Sequence, residues 1–209
     1  MILHGYFRST ASWRVRIALG LKGLPADQVF HHLRRGEQRT PDYLAINPQG
    51  LLPALALDDG RVLTQSLAIV EYLDEIHPQP PLLPSDPFAK AQVRAVAQAI
   101  ACDIHPVQNL KVLARLRDLG LDEPAVQGWA AGVIEEGLDA VDKLLARQSG
   151  RFAFGDAPSL ADLVLVPQLG NARRFGVELR WNRLTDIEAA CLELDAFKSA
   201  APSAQPDAE

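Results

Sequence analysis

The stretch Ile2-Leu-His-Gly-Tyr-Phe-Arg-Ser-Thr-Ala-Ser-Trp-Arg-Val-Arg-Ile-Ala-Leu19 starts apolar, passes through small polar residues and ends in an apolar pattern of helical spacing. That order predicts a buried strand over Ile2 to Tyr6, a turn around Arg8 to Ser12 and then a helix. Val15, Ala18 and Leu19 form one apolar stripe and Ile17, Leu21 and Leu24 a second, so the helix is covered on two sides. Gly23 and Pro25 end it, because glycine accepts the left-handed cap and proline cannot continue a helix.

Working outward, Val29 to Leu33 is the next expected strand. Ala54 to Leu57 and Arg61 to Leu63 flank Asp58-Asp59-Gly60, a turn sequence that favours an antiparallel hairpin. Ser66 caps a further helix whose apolar positions Leu67, Val70 and Leu73 recur at helical spacing and stop by His77 and Pro78. Prolines at 78, 80, 81, 84 and 87 then stiffen a connector and mark a domain boundary, giving residues 1–80 and 81–209. Beyond it Val93, Val96, Ala97, Ile100 and Ile104 lie on one helix face, and further helices are expected over Glu123 to Leu145, Ser159 to about Arg174, and Leu184 to Phe197. The second domain is therefore expected to be all helical, and the small polar residues from Ser199 to Glu209 a loose tail.

At 209 residues, 48% hydrophobic and 22% charged, the composition is that of a globular protein and excludes disordered and collagenous classes. The net charge of -5 argues against a nucleic-acid binder, whose surface must neutralise phosphates. Seven basic and two acidic residues nevertheless fall within residues 1–40, so this part can attract small anions. Cys102 and Cys191 are too few for a disulfide framework or a thiolate zinc site, which suits a reducing cytoplasm. No secretory leader pattern opens the chain, and no apolar run nears the ~20 residues of a membrane span.

Several short motifs carry both a structural and a functional reading. Ser9, Thr10 and Ser12 can cap a helix, and the same hydroxyls with free backbone N–H groups can also stabilise an anion or thiolate. The Leu52-Pro53 bond either marks a strand edge or is cis, exposing the Leu52 backbone to an extended peptide ligand. Gln65-Ser66, at a helix start, can receive a carboxylate. Ser159-Leu-Ala-Asp162 reads as a structural capping box. The five histidines show no metal-ligand spacing, so no metal is expected. Taken alone, Arg173-Arg174 read as a solvated helix end and Gln108-Asn109 as polar residues of a helix surface.

Taken together, Tyr6 to Leu19, Asn47-Pro48, Leu52-Pro53, Gln65-Ser-Leu-Ala-Ile69, Gln108-Asn109-Leu110, Leu165-Val-Pro-Gln168, Asn171-Ala-Arg-Arg-Phe175 and Gln205-Pro206-Asp207 resemble the zeta-class glutathione transferases, over almost the whole chain. Within that class they are most similar to the maleylacetoacetate isomerases. The resemblance implies a thioredoxin-like N-terminal α/β domain followed by an all-helical C-terminal domain, with a glutathione site between them, in a homodimer. It implies that Ser9, with Thr10 as a second donor, steadies the glutathione sulfur, and that Pro53 is cis and presents Leu52. Gln65 and Ser66 are implied to hold the γ-glutamyl end, and Gln108, Asn109 and His105 to approach from the helical domain.

The implied reaction is glutathione-dependent cis-trans isomerisation of maleylacetoacetate to fumarylacetoacetate, with Arg8 and Arg174 as candidate clamps for the carboxylates of a small dicarboxylate substrate. One departure stands out: the family's Ser-Ser-Cys-Ser-Trp-Arg motif reads Ser9-Thr10-Ala11-Ser12-Trp13-Arg14, so no role of the motif cysteine transfers to this chain. Cys102-Asp-Ile-His-Pro106 also resembles the related maleylpyruvate isomerases, which keeps that substrate as an alternative. The remaining alternatives are a transferase acting on α-haloacids and a glutathione-binding protein without turnover.

Overall fold

A computed structural model describes residues 1–209, which fold as two compact units: Met1–Leu82 together with Leu192–Glu209, and Leu83–Cys191. The first unit holds strands β1 (Ile2–Gly5), β2 (Asp27–Phe30), β3 (Ala54–Ala56) and β4 (Val62–Thr64) in the order β2-β1-β3-β4. β2 runs parallel to β1 with Ile2 opposite Asp27, and β3 is antiparallel to both β1 and β4. Helix α1 (Thr10–Lys22) makes the crossover that parallel strands require, α2 (Pro41–Ile46) follows β2, and α3 (Ser66–Ile76) follows the hairpin. This is the thioredoxin-like arrangement that the resemblance implies.

α1 is buried on nearly every side from Thr10 to Leu19, as its two apolar stripes predict. It ends at Gly23, whose φ of 64° is left-handed, with Leu24 N–H returning to the Leu19 carbonyl. The hairpin turn forms at Asp58-Asp59-Gly60 as expected. β2 begins two residues earlier than the apolar run suggests, because pairing with the four residues of β1 sets its register.

In the second unit Asp86 caps α4 (Pro87–Gln98), which continues into a π-helical turn at Ala99–Ile104. α5 (Leu110–Asp118), α6 (Glu123–Leu145), α7 (Leu160–Arg174) and α8 (Asn182–Cys191) complete it, with no strand. A Cβ at Gly137 of α6 would overlap the Ile104 side chain, so glycine is what lets α6 close on the π turn. α7 is apolar and buried nearly all round, and Asp162 accepts from Ser159 N–H at 2.7 Å and from Ala153 N–H at 2.8 Å.

Two expectations about the end of the chain are corrected. The helix expected over Leu184 to Phe197 is two helices, α8 and α9 (Asp195–Ala200), because Leu194 is extended. α9 packs on α1, where Gly20 leaves room for Ala196, so residues 192–209 join the first unit rather than lying with the helices of 81–191. The tail is not loose. Gln205 Nε2 donates to the Ser199 and Ala201 carbonyls, and Asp207 accepts from Phe7 N–H at 2.9 Å.

Candidate active site

Three pieces of the first unit meet around the turn from β1 into α1. Ser9 caps α1: its Oγ accepts from Ser12 N–H at 3.2 Å, and its own N–H donates to the Tyr6 carbonyl at 3.0 Å. A hydroxyl that accepts in this way still has its proton to give. The cap and the anion site are therefore compatible uses of one side chain. Thr10 Oγ1 is buried beside it with no hydrogen-bond partner in the protein, and the first turn of α1 carries no acidic residue. Ala11 occupies the position of the motif cysteine.

The second piece is the loop entering β3. The Leu52–Pro53 bond is cis, and the preceding Leu51 carbonyl accepts from both Tyr43 Oη and Asn47 Nδ2 at 2.7 Å. Burial raises the Tyr43 hydroxyl to about 12, so it remains a donor through the neutral range. Leu52 packs with Tyr6, Phe7 and Tyr43, which joins this loop to the β1–α1 turn. The third piece is the start of α3. Gln65 has φ 69° and ψ 116°, the one positive φ outside glycine, and such strain persists only where surrounding contacts enforce it. Its Nε2 donates to Gln49 Oε1 at 3.0 Å, and Ser66 Oγ accepts from the buried Arg14 Nη1 at 3.3 Å. Arg14 thereby ties α3 to α1.

Arg8 lies with its guanidinium 5.0 Å from the centre of the Phe7 ring and Nη2 3.4 Å from Tyr6 Oη. Arg16 is structural: it donates to the carbonyls of Ala200 (3.0 Å), Phe7 (2.9 Å) and Tyr6 (3.4 Å). Burial brings it down to about 10, partly offset by the charge of Asp207. Its interior position was legible in the buried helix, but the part played by Asp207 was not, since a short polar tail gives no pattern.

In the second unit His105 and Gln108 lie between the π turn and α5, in a loop whose Val107 carbonyl accepts from Trp129 Nε1 at 3.1 Å. Gln108 is buried and its Oε1 lacks a protein partner. Asn109 is committed to capping, its Oδ1 accepting from Leu110 N–H at 2.7 Å. At the end of α7 the two arginines differ. Arg173 donates to Glu188 at 2.6 Å, whereas the Arg174 guanidinium stacks 5.0 Å from the Phe175 ring, which packs on Leu113, Val126 and Ala130.

The first unit thus offers two helix starts, a hydroxyl with its proton available, a buried unpartnered hydroxyl and a cis-proline loop. These suit an anionic thiol peptide such as glutathione. No cluster of three or more histidine, cysteine or acidic side chains stands where it could hold a metal, and no helix is long and apolar enough to cross a membrane.

Residues 8–76 match the glutathione S-transferase N-terminal domain and residues 107–191 the glutathione S-transferase C-terminal domain. The chain is 50% identical to maleylacetoacetate isomerase of Pseudomonas aeruginosa, over 99% of this chain and 98% of that protein. A holo maleylpyruvate isomerase described as a bacterial zeta-class glutathione S-transferase superposes with a TM-score of 0.97 at 46% identity, covering 100% of both chains. A maleylacetoacetate isomerase from Methylobacterium extorquens AM1 with bound malonate and glutathione superposes at 0.96 and 41% identity, again covering 100% of both. With the two family domains matched in order and relatives this similar over the full length, the chain belongs to the glutathione S-transferase family, in its zeta class.

Proposed function

We propose that the protein is a glutathione-dependent cis-trans isomerase that converts maleylacetoacetate to fumarylacetoacetate. The observation that carries this reading is the Ser9 hydroxyl, which caps α1 with a lone pair and keeps its proton for a thiolate at the positive end of that helix. The names and the bound glutathione of proteins sharing 41–50% of its residues support the same reading.

Glutathione, when bound, supplies a thiolate that adds reversibly to the electron-poor double bond, allows rotation about the resulting single bond and leaves again unchanged. The protein's part is to keep that sulfur ionised. Bringing a thiol from about 8.5 to about 6.5 needs ~2.7 kcal/mol. A charge-assisted hydrogen bond from Ser9 contributes about 1.5 to 3 kcal/mol and the helix end about 0.3 to 1 more, so the two suffice. Thr10 is the second donor, Leu52 offers its backbone beside the cis-proline, and Gln65 with Ser66 receives the γ-glutamyl carboxylate. His105, Gln108 and Asn109 are the glutathione contacts assigned to the helical part. No protein thiol takes part, which fits Ala11 in the place of the motif cysteine.

A dicarboxylate substrate needs guanidinium partners, and Arg8 and Arg174, each resting on an aromatic ring, are assigned to it. Malonate bound in the Methylobacterium enzyme supports a site for two carboxylates. Arg174→Ala is expected to raise KM about tenfold with a smaller change in kcat, and an unchanged KM removes that residue from the clamp. A homodimer in a reducing cytoplasm completes the proposal.

Ultraviolet progress curves with maleylacetoacetate and maleylpyruvate, each with and without glutathione, test it. Rapid glutathione-dependent loss of maleylacetoacetate is expected. Preference for maleylpyruvate would transfer the assignment to that substrate, and conversion of neither by a protein that binds glutathione would overturn the isomerase reading.

A further inference from the structure

One peptide unit of the β1–α1 turn is held from both ends by opposite charges. The Tyr6 carbonyl accepts from Arg16 Nη1 at 3.4 Å and from Ser9 N–H at 3.0 Å, while the Phe7 N–H on the same peptide donates to Asp207 Oδ2 at 2.9 Å. Arg16 also holds the next carbonyl, that of Phe7, and reaches the Ala200 carbonyl where the tail leaves α9. Neither charged group is spent elsewhere on the surface: Arg16 is buried, and Asp207 Oδ1 is buried with no hydrogen-bond partner. A half-buried, charge-assisted grip of this kind is rigid, since loosening it leaves two poorly solvated charges without their partners.

We propose that Asp207 is a positioning residue for the reaction: with Arg16 it fixes the Tyr6–Phe7 peptide, and through it the place from which the Ser9 hydroxyl meets the thiolate. This rests on the functional reading above. Asp207 touches neither substrate nor glutathione in this account; it acts because Ser9 N–H hangs from the Tyr6 carbonyl that the grip orients. A displacement of well under a bond length at Ser9 is enough to weaken a charge-assisted hydrogen bond sharply.

The test compares wild type with Asp207→Ala and Asp207→Asn. The ultraviolet absorbance of the glutathione thiolate in the binary complex is titrated with pH, and kcat and KM are measured at saturating glutathione. Asp207→Ala is expected to move the bound-thiol titration up by about one pH unit, a tenfold change in the thiolate-to-thiol ratio, and to lower kcat about tenfold at pH 6.5 with KM for the dicarboxylate changed less than about twofold. Asp207→Asn keeps an acceptor for Phe7 N–H and is expected to recover at least half of the shift. Should the alanine variant not fold, Asp207→Ser, too short to reach Phe7 N–H, replaces it with the same expectation. An unchanged thiol titration in a folded Ala or Ser variant, even with a lower melting temperature, overturns the proposal, as does an Asn variant no better than Ala. A wild-type complex with no lowered thiol titration and no turnover would instead sink the functional reading itself.

Discussion

α1 and α7 begin with nearly the same words, Ser9-Thr-Ala-Ser12 and Ser159-Leu-Ala-Asp162, and use them for opposite ends. At α7 the third helical residue is a carboxylate that takes the Ser159 N–H and hydroxyl, both at 2.7 Å, and the Ala153 N–H, so the helix start is neutralised from within. At α1 the third residue is Ser12, the first turn has no acid, and Thr10 Oγ1 and Ser12 Oγ are buried without protein partners. One side chain decides whether the positive end of a helix is sealed or left for a ligand.

The largest effect is expected where the seal is removed. Asp162→Ala leaves three buried donors without their acceptor and should cost about 3 to 5 kcal/mol in a denaturant titration, with kcat of the surviving folded protein little altered. Ser9→Ala attacks the open end instead. It is expected to lower kcat about 100-fold, ~2.7 kcal/mol, while glutathione affinity changes far less and stability falls by only about 1 kcal/mol. Equal losses in affinity and turnover would mean that Ser9 binds the tripeptide rather than its ionised sulfur.

Ser12→Asp converts the α1 start into a copy of the α7 start. The new carboxylate should raise the bound-thiol titration by about one pH unit, ~1.4 kcal/mol, as the absorbance titration would read. A smaller effect distinguishes the units by acid. His4 Nδ1 lies 3.0 Å from His31 Nε2 with the two rings stacked, and the Tyr43 ring packs tilted against both. Burial, and for His4 the charge of His31, holds both below the ordinary 6.5, although Glu37 draws His31 partly back up. The unfolded chain therefore takes protons that the folded one refuses. The stability this pair contributes is present above pH 6.5 and is lost as pH falls below it, by up to about 1.4 kcal/mol per pH unit for each site. Hydrogen exchange resolved by segment should show residues 1–82 loosening first in acid, and His31→Gln should flatten that response.

Much of this was legible in the chain. The Asp58-Asp59-Gly60 turn and the Ser159–Asp162 box rest on contacts local in sequence and leave local patterns, and the two stripes of α1 show in helical spacing even though the α3 and α9 they pack on lie far along the chain. The bounds of β2 differ from its apolar run because the partner strand sets them, and the break at Leu194 leaves no mark because the apolar spacing runs on across it. At the site, Ser9 could be read as a cap or as a donor, and only the direction of the Ser12 N–H bond makes the two compatible. Gln65's positive φ and Arg14's reach to Ser66, 52 residues along the chain, carry no signal in sequence.

The bond between Phe7 and Asp207 joins residues 200 positions apart. During synthesis the strand and helix that frame Ser9 emerge long before Asp207, so the grip on their connecting turn cannot close until Asp207 has followed. Contacts of such long sequence separation form late and slow the final step of folding. A nascent chain stalled anywhere before Asp207 carries Ser9 and its turn without the carboxylate that holds Phe7 N–H, so the later-made side of this pairing completes the earlier-made one.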